Sequence, residues 1–194
     1  MSNDEITTYF PQAFFSSLNL LEKDYLTKIQ NKAFKIKENS KSGGDNWTLK
    51  PFNTCGTYDL QKDKDFKILL DKIEEKTLKF TKEHNTDHVY HIKDAWLNVY
   101  NKDESQEFHC HGGSTFSAVF FLKSSDNCAN LIFENPTEPD MKPIIGVKKE
   151  NPLTYKRCWI KPVENSLIIF RSYMRHMVEK QTTDFDRMTI AVNF

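Results

Sequence analysis

Apolar positions follow a helical period in the first part of the chain and a period of two in the rest. Between residues 18 and 36, and again from about 63 to 83, apolar residues recur at steps of three and four. This spacing places them on one stripe of a helix and predicts two amphipathic helices. Asp63 and Asp65, at the start of the second segment, suit the cap and the dipole of a helix N-terminus.

Two shorter segments complete the prediction for this region. Thr7–Pro11 suits an edge strand, because Pro11 has no N–H group to donate to a ladder. Residues 39–46 are rich in Ser, Gly, Asp and Asn, which predicts a loop after the first helix. We therefore expect residues 1–87 to form a mainly helical support region.

From residue 88 onward, alternation of apolar and polar positions predicts short strands separated by turn-rich pieces. The candidates are His88–His91, Trp96–Tyr100, Glu107–His111, Phe116–Leu122, Leu131–Phe133, Ile144–Val147, Cys158–Ile160, Ser166–Phe170, Met174–Val178 and Arg187–Phe194. So many short strands within residues 88–194 imply a sandwich or barrel. Because the helices come first, we predict one α+β domain over residues 1–194, mainly β, with the helices on one outer face of the sheet core.

One stretch among these strands carries candidate chemistry, from Glu107 to His111. On a strand, His109 and His111 share one face and Cys110 points to the other. Two imidazoles on one face can hold one metal ion, although an H-x-H pair is also typical of ordinary surface or core histidines. Glu107 lies on the same face, where it could add a carboxylate ligand or be exposed to solvent.

Two later segments supply residues that could complete such a site. His176 follows the apolar strand Leu167–Phe170 by a short turn and could be the third protein ligand. A site with three protein ligands leaves coordination positions open for substrate or oxygen. Arg187 lies in the last predicted strand, with Thr189 on the same face. A guanidinium binds a carboxylate in bidentate fashion, and the threonine could add a hydroxyl. The anionic partner of Arg187 could be an internal Asp or Glu, or a dicarboxylate cosubstrate.

Composition narrows the functional classes. The chain has 27 Lys plus Arg and 27 Asp plus Glu, and this neutral balance argues against a nucleic-acid partner. The chain shows neither a signal-peptide pattern nor a long apolar run, so we expect a cytoplasmic protein without a membrane partner. Its four cysteines form no Cys-x-x-Cys pair, which argues against a disulfide framework or a zinc ribbon.

Taken together, these segments resemble the Fe(II)/2-oxoglutarate-dependent oxygenases, in particular the type found in bacteria and marine phages. The resemblance covers about residues 94–194. It consists of Trp96-Leu97-Asn98 before the H-x-H pair, Ser117-Ala118-Val119-Phe120-Phe121-Leu122 after it, and the endings Phe170-x-Ser172-x-x-x-His176-x-Val178 and Arg187-x-Thr189-x-x-x-Asn193-Phe194.

The resemblance implies a double-stranded β-helix, a cupin-like jelly roll, with Fe(II) held by His109, His111 and His176. It implies that 2-oxoglutarate chelates the iron through its keto-acid end, while Arg187 and Thr189 bind its distal carboxylate. The expected reaction converts 2-oxoglutarate to succinate and CO2 and hydroxylates a C–H bond of a small molecule or a protein side chain. A phage-encoded enzyme would act in the host cytoplasm.

Several residues modify this expectation. Asn98 is a further candidate for a cosubstrate carboxylate, with a sheet-edge or turn role as the alternative. Phe120–Phe121 offers no tyrosine hydroxyl to the cosubstrate, and His111 stands where these oxygenases usually have a carboxylate ligand. We expect Ser117 to be a packed strand residue and Cys110 to behave as a small apolar one.

Two other functions remain open from the sequence. The first is a three-histidine cupin-type dioxygenase that uses no 2-oxoglutarate and has no need of Arg187. The second is a jelly-roll binding module without catalytic activity.

Overall fold

The fold is that of a computed structural model, which describes residues 6–8, 10–43, 51–137 and 144–194. In chain order the elements are β1 (Phe15–Ser17), α1 (Lys23–Asn39), β2 (Phe52–Asn53), α2 (Lys67–Lys82), β3 (Asp94–Tyr100), β4 (Gln106–His109), β5 (Phe116–Lys123), β6 (Leu131–Glu134), β7 (Arg157–Ile160), β8 (Ser166–Arg171), β9 (His176–Val178) and β10 (Arg187–Asn193). Neither helix is long and apolar enough to cross a membrane, a finding limited to these ranges.

The strands form two sheets in which all paired neighbours are antiparallel. One sheet has six strands in the order β1-β8-β5-β10-β3-β2, and the other has four in the order β4-β9-β6-β7. Phe121 and Phe170 of the first sheet share a buried cluster with Phe133 of the second, so the two sheets face each other. This arrangement confirms the prediction of an α+β, mainly β fold with a jelly-roll core.

Both helices cover the outer face of the six-stranded sheet. Ile29 of α1 and Ile73 of α2 are fully buried in one cluster with Leu97 and Ile190 of the sheet. Successive residues of a strand face opposite sides, so β5 and β10 are buried towards the helices as well as towards the other sheet. β1 and β2 lie at the two edges of this sheet, and the N-terminal region therefore contributes strands as well as helices.

Two strands predicted by alternation are absent. His88–His91 runs without a strand partner, and Tyr90 instead packs its ring on Phe116, with 5.0 Å between ring centroids. Ile144–Val147 contains a turn with Gly146 at a φ of +78°, a conformation that favours glycine. In both segments the alternation is real, but no neighbouring strand is available to pair with it.

The predicted edge strand is displaced along the chain. Thr7, Thr8, Phe10 and Pro11 form no strand, and Tyr9 lies outside the described residues. The edge position is taken by β1, which pairs with β8. The loop predicted at 39–46 is borne out from residue 40 to residue 43, whereas Asn39 is the last residue of α1. The remainder of the predicted loop lies outside the described residues.

Asp63 and Asp65 do not cap α2, which begins only at Lys67 and has no acidic residue in its first turn. The Asp63 carboxylate accepts a hydrogen bond of 2.6 Å from the Tyr58 hydroxyl and pairs with Lys32 of α1 at 3.1 Å. Asp65 pairs with Lys28 of α1 at 2.7 Å. The two aspartates therefore tie α1 to the segment before α2, which is a tertiary role that helix periodicity does not reveal.

Candidate metal centre and anion site

Three histidines converge between the sheets. His109 ends β4 and His176 begins β9, and the two residues are paired across these strands. The ring centroids of His109 and His176 lie 4.2 Å apart, and that of His111 lies within 5.2 Å of both. Each ring offers one nitrogen, and these three nitrogens lie within 4.8 Å of one another. Such a cluster can hold one metal ion.

The local backbone explains how an i, i+2 pair reaches the same point although β4 is short. β4 stops at His109, and the backbone N–H of His111 donates to the Ser172 carbonyl at 3.0 Å, which holds the chain against the end of β8. Cys110 is not a member of the cluster, and it is exposed, so it does not pack as the small apolar residue that was expected.

Hydrogen bonds from two of the rings determine which nitrogen carries the proton. Nδ1 of His109 lies 2.7 Å from the Glu107 carbonyl oxygen, and Nδ1 of His176 lies 2.9 Å from that of Met174. A carbonyl oxygen only accepts, so each Nδ1 carries the proton and each Nε2 keeps its lone pair for a metal. The backbone thus sets the tautomer that metal ligation requires.

Burial also keeps the three imidazoles neutral. Desolvation lowers the pKa of His109, lowers that of His111 to about 4 and lowers that of His176 well below its usual range. The proximity of His109 adds to the lowering for the other two rings. Neutral imidazole is the form that binds metal, so these rings are ligand-competent at neutral pH.

No carboxylate joins the cluster in the described part of the chain. Glu107 contributes its backbone carbonyl to His109 and is not a member of the group of candidate ligands. Three neutral ligands would therefore surround a bound divalent metal and leave its positive charge unbalanced.

The second feature of the cavity is a buried arginine. Arg187 has no exposed surface, and its Nε donates to the Ala129 carbonyl oxygen at 3.1 Å. Its guanidinium carbon lies 4.9 Å from the ring centroid of Tyr100 and 5.5 Å from that of Phe121. Within the described residues, Nη1 and Nη2 are buried and have no hydrogen-bond partner.

The internal Asp or Glu considered as the partner of Arg187 is not found among the described residues. Burial lowers the pKa of Arg187, and only Tyr100 and Cys128 act in the opposite direction, with no Asp or Glu among the causes. Two orphaned donors in a fixed fork fit the two oxygens of a ligand carboxylate. The cavity lining includes the three histidines as well as Arg187, so both features belong to one site.

Asn98 and Thr189 also lie in this cavity, directly opposite each other on β3 and β10. Both are buried, and the Asn98 amide nitrogen lies 3.5 Å from the Thr189 hydroxyl, at the limit of a hydrogen bond. All six residues singled out from the sequence, namely the three histidines, Arg187, Thr189 and Asn98, thus line a single cavity.

Sequence reasoning missed Tyr100 and Gln106, which shape the arginine end of the cavity. The Tyr100 hydroxyl lies 2.5 Å from the Gln106 side-chain oxygen, and both residues line the cavity. Burial raises the pKa of Tyr100 to about 12, so the phenol stays protonated and donates this bond. The sequence did contain a signal, because alternate residues of a strand share a face. Tyr100 therefore lies on the inward face of β3 together with Trp96 and Asn98.

The comparisons with known proteins agree with this geometry. A family model described as "Putative 2OG-Fe(II) oxygenase" matches residues 94–193. A search of the curated proteins returns no match.

Solved structures show the same fold. A Pseudomonas putida prolyl-4-hydroxylase has a TM-score of 0.64 at 13% identity, with 94% of this chain and 92% of that one covered. HygX from Streptomyces hygroscopicus, with nickel, 2-oxoglutarate and hygromycin B bound, has a TM-score of 0.64 at 11% identity, covering 94% and 82%. A prolyl hydroxylase from Trichoplax adhaerens, in complex with a hypoxia inducible factor peptide fragment, has a TM-score of 0.62 at 13% identity, covering 93% and 83%.

The family model spans more than half of the 194 residues and contains all the strands from β3 to β10. The chain therefore belongs to the 2OG-Fe(II) oxygenase family, and it is an oxygenase that depends on Fe(II) and on 2-oxoglutarate as cosubstrate.

Proposed function

We propose that His109, His111 and His176 hold the Fe(II), and that Arg187 and Thr189 bind the distal carboxylate of 2-oxoglutarate. Asn98 lies beside Thr189 and is proposed as a further cosubstrate contact. The observation that carries this proposal is the buried guanidinium of Arg187, whose two Nη groups have no partner among the described residues. Arg187 lines the same cavity as the three neutral histidines.

We further propose that the reaction is the hydroxylation of a substrate C–H bond. When bound, iron and 2-oxoglutarate supply the oxidising power, with release of succinate and CO2. The histidines leave metal positions open for the keto acid and oxygen, and Arg187 orients the cosubstrate from its far end. The apolar residues of the inter-sheet cluster, such as Phe133 and Phe170, limit the access of water.

The substrate is proposed to be a small molecule or a side chain of a peptide or protein. Two structural neighbours support keeping both classes, because HygX binds hygromycin B and the Trichoplax adhaerens enzyme binds a peptide fragment. We place the enzyme in the cytoplasm, that of the host if it is encoded by a phage. All four cysteines are free in the structure, and a reducing compartment keeps them so.

Anaerobic titration of the Fe(II) protein with 2-oxoglutarate tests the proposal. Chelation of the iron by the keto acid should produce a metal-to-ligand charge-transfer band that saturates with cosubstrate. His176→Ala should abolish the band. Arg157→Ala removes a half-exposed arginine of β7 and should leave the titration unchanged. A wild-type protein that binds Fe(II) but yields no band, and that makes no succinate in air, would overturn the proposal.

A further inference from the structure

A chain of three buried polar side chains lies next to the histidines. The Ser117 hydroxyl is 2.8 Å from the Ser172 hydroxyl and 2.8 Å from the side-chain oxygen of Asn193. All three residues are buried, with 8% exposure or less. None of them was a candidate ligand from the sequence, and Ser117 was expected only to pack.

Counting protons determines the direction of these hydrogen bonds. Ser117 has a single hydroxyl proton, which it donates to Oδ1 of Asn193. Ser172 must therefore donate to Ser117. With Oδ1 of Asn193 held in this way, its Nδ2 is the free end of the amide, and no hydrogen bond joins Nδ2 to any residue of the described part. Asn193 lines the cavity, so a hydrogen-bond donor is available there.

The strand register places this donor at the metal end of the cavity. Asn193 of β10 is paired with Ser117 of β5, and Ser117 is paired with Phe170 of β8. Asn193, Ser117 and Phe170 therefore form one row across the sheet. The ring of Phe170 meets that of His176 edge-on, with 4.9 Å between centroids. The Ser172 hydroxyl is hydrogen-bonded to Ser117 of this row, and the Ser172 carbonyl accepts the backbone hydrogen bond of His111.

Arg187 lies at the opposite end of the same strand face. It precedes Asn193 by six residues on β10, which corresponds to roughly 20 Å between the two backbone positions. The long arginine side chain shortens this gap, because its guanidinium lies 5.5 Å from the ring of Phe121, the strand partner of Thr189. No Asp or Glu of the described segments lines the cavity. The cavity thus offers the Arg187 donors, with Asn98 and Thr189 beside them, at one end and the Asn193 amide at the other. This suits a ligand with acceptor oxygens at both of its ends.

We propose that Nδ2 of Asn193 donates a hydrogen bond to the keto-acid end of 2-oxoglutarate, at the carboxylate beside the metal. Ser117 and Ser172 are positioning residues, which hold the amide so that its donor faces the ligand. This inference rests on the proposed function, because it requires that the histidines hold the metal and that Arg187 binds the distal carboxylate.

The test separates the two ends of the ligand. Charge-transfer titrations of the anaerobic Fe(II) protein are done with 2-oxoglutarate and with pyruvate, which has the keto-acid end but lacks a distal carboxylate. Asn193→Ala should weaken both ligands by about 10- to 100-fold, as expected for a hydrogen bond to a charged group. Arg187→Ala should weaken 2-oxoglutarate and leave pyruvate unchanged. Iron affinity, measured in the same samples without keto acid, should stay at the wild-type value in both variants.

A second pair of variants addresses the positioning role. Ser117→Ala leaves the amide free to rotate, so it should weaken both keto acids several-fold and shift the energy of the charge-transfer band. Ser117→Thr keeps the hydroxyl and should restore the position of the band. A role in packing alone predicts that neither substitution moves the band.

Each remaining outcome has a clear consequence. The isosteric Asn193→Asp keeps the shape of the side chain but replaces the donor by an acceptor, and it should bind both keto acids no better than Asn193→Ala. If Asn193→Ala and Asn193→Asp bind both ligands like the wild type, the inference is wrong while the proposed function stands. If the wild type itself shows no charge-transfer band, the proposed function and this inference fail together.

Discussion

A buried arginine without an anionic partner is costly for a folded chain. Transfer of a charge out of water is compensated only by paired charges and hydrogen bonds. Arg187 receives one backbone carbonyl and two aromatic faces, which leaves Nη1 and Nη2 without acceptors in the described part of the chain. The residue is therefore better explained by a ligand than by the stability of the protein alone.

Substitution of Arg187 should separate cosubstrate binding from iron binding. Arg187→Ala is expected to weaken 2-oxoglutarate by roughly 2–4 kcal/mol, since it removes a charge-assisted pair from a buried pocket. Arg187→Lys should cause a smaller loss, because it keeps the charge and loses the fork. Calorimetric titration of the metal-loaded protein measures both effects. Unchanged 2-oxoglutarate affinity in Arg187→Ala would mean that the arginine is structural.

Glu107 provides a matched test of the ligand set. Its carboxylate is not part of the histidine cluster, and only its backbone carbonyl contacts His109. Glu107→Gln should therefore leave Fe(II) affinity within about threefold, a change of about 0.65 kcal/mol or less. His109→Ala should lose iron binding in the same competition assay against a chelator. A loss in Glu107→Gln as large as that in His109→Ala would show that the carboxylate is a ligand.

The alternation of side chains along a strand predicted much of this site from the sequence. The two-residue spacing of His109 and His111, and of Arg187 and Thr189, indicated shared faces, and each pair lines one cavity. This alternation does not reveal which distant strands become neighbours in the sheet. The hydrogen bond between Ser117 and Asn193 depends on the register of β5 against β10, which no local pattern in the sequence encodes.

At the scale of elements, the sequence predicted helices better than strand partners. A helix buries its apolar stripe wherever a sheet covers it, and both predicted helices form. A strand needs a neighbour, and the alternating segments 88–91 and 144–147 have none. The acidic residues before α2 were misjudged because their partners, Lys28 and Lys32, lie on α1.

The contact between α1 and the segment before α2 should make stability depend on pH. Burial raises the pKa of Asp63, but hydrogen bonds from Tyr58 and the Asp65 backbone, together with Lys32, outweigh it and hold the pKa below its usual value. A lowered folded-state pKa stabilises the fold above about pH 4, the value in the unfolded chain, and this contribution is lost as the pH falls further.

Asp63→Asn should therefore lower the free energy of unfolding at pH 7, by about 0.5–1.5 kcal/mol, the range of one intramolecular hydrogen bond. It should also flatten the decline of stability below about pH 4. Urea unfolding at several pH values measures both effects. Asp184→Asn, at an exposed ion pair with Lys102, is the control and should change neither. An equally steep acid decline in Asp63→Asn would contradict this role for the carboxylate.

At the scale of the whole molecule, the proposed role of Arg187 sets cosubstrate binding against stability. Replacement of a buried charge by an apolar side chain of similar volume is often neutral or stabilising. Arg187→Met should therefore unfold at the wild-type temperature or above when no ligand is present. The wild type should regain the lost stability only when a bound ligand supplies the missing hydrogen-bond acceptors.

Thermal unfolding in successive loading states should show this exchange. A ligand that binds only the folded state, at a hundred times its dissociation constant, adds about 2.7 kcal/mol, which corresponds to roughly 5–11 °C for a chain of this size. The wild type should gain one such increment with metal and a second with 2-oxoglutarate. Arg187→Met should keep the first increment and lose most of the second, whereas His176→Ala should lose both, because the keto acid needs the metal. If 2-oxoglutarate stabilised Arg187→Met as strongly as the wild type, the cosubstrate would have its anchor elsewhere in the molecule.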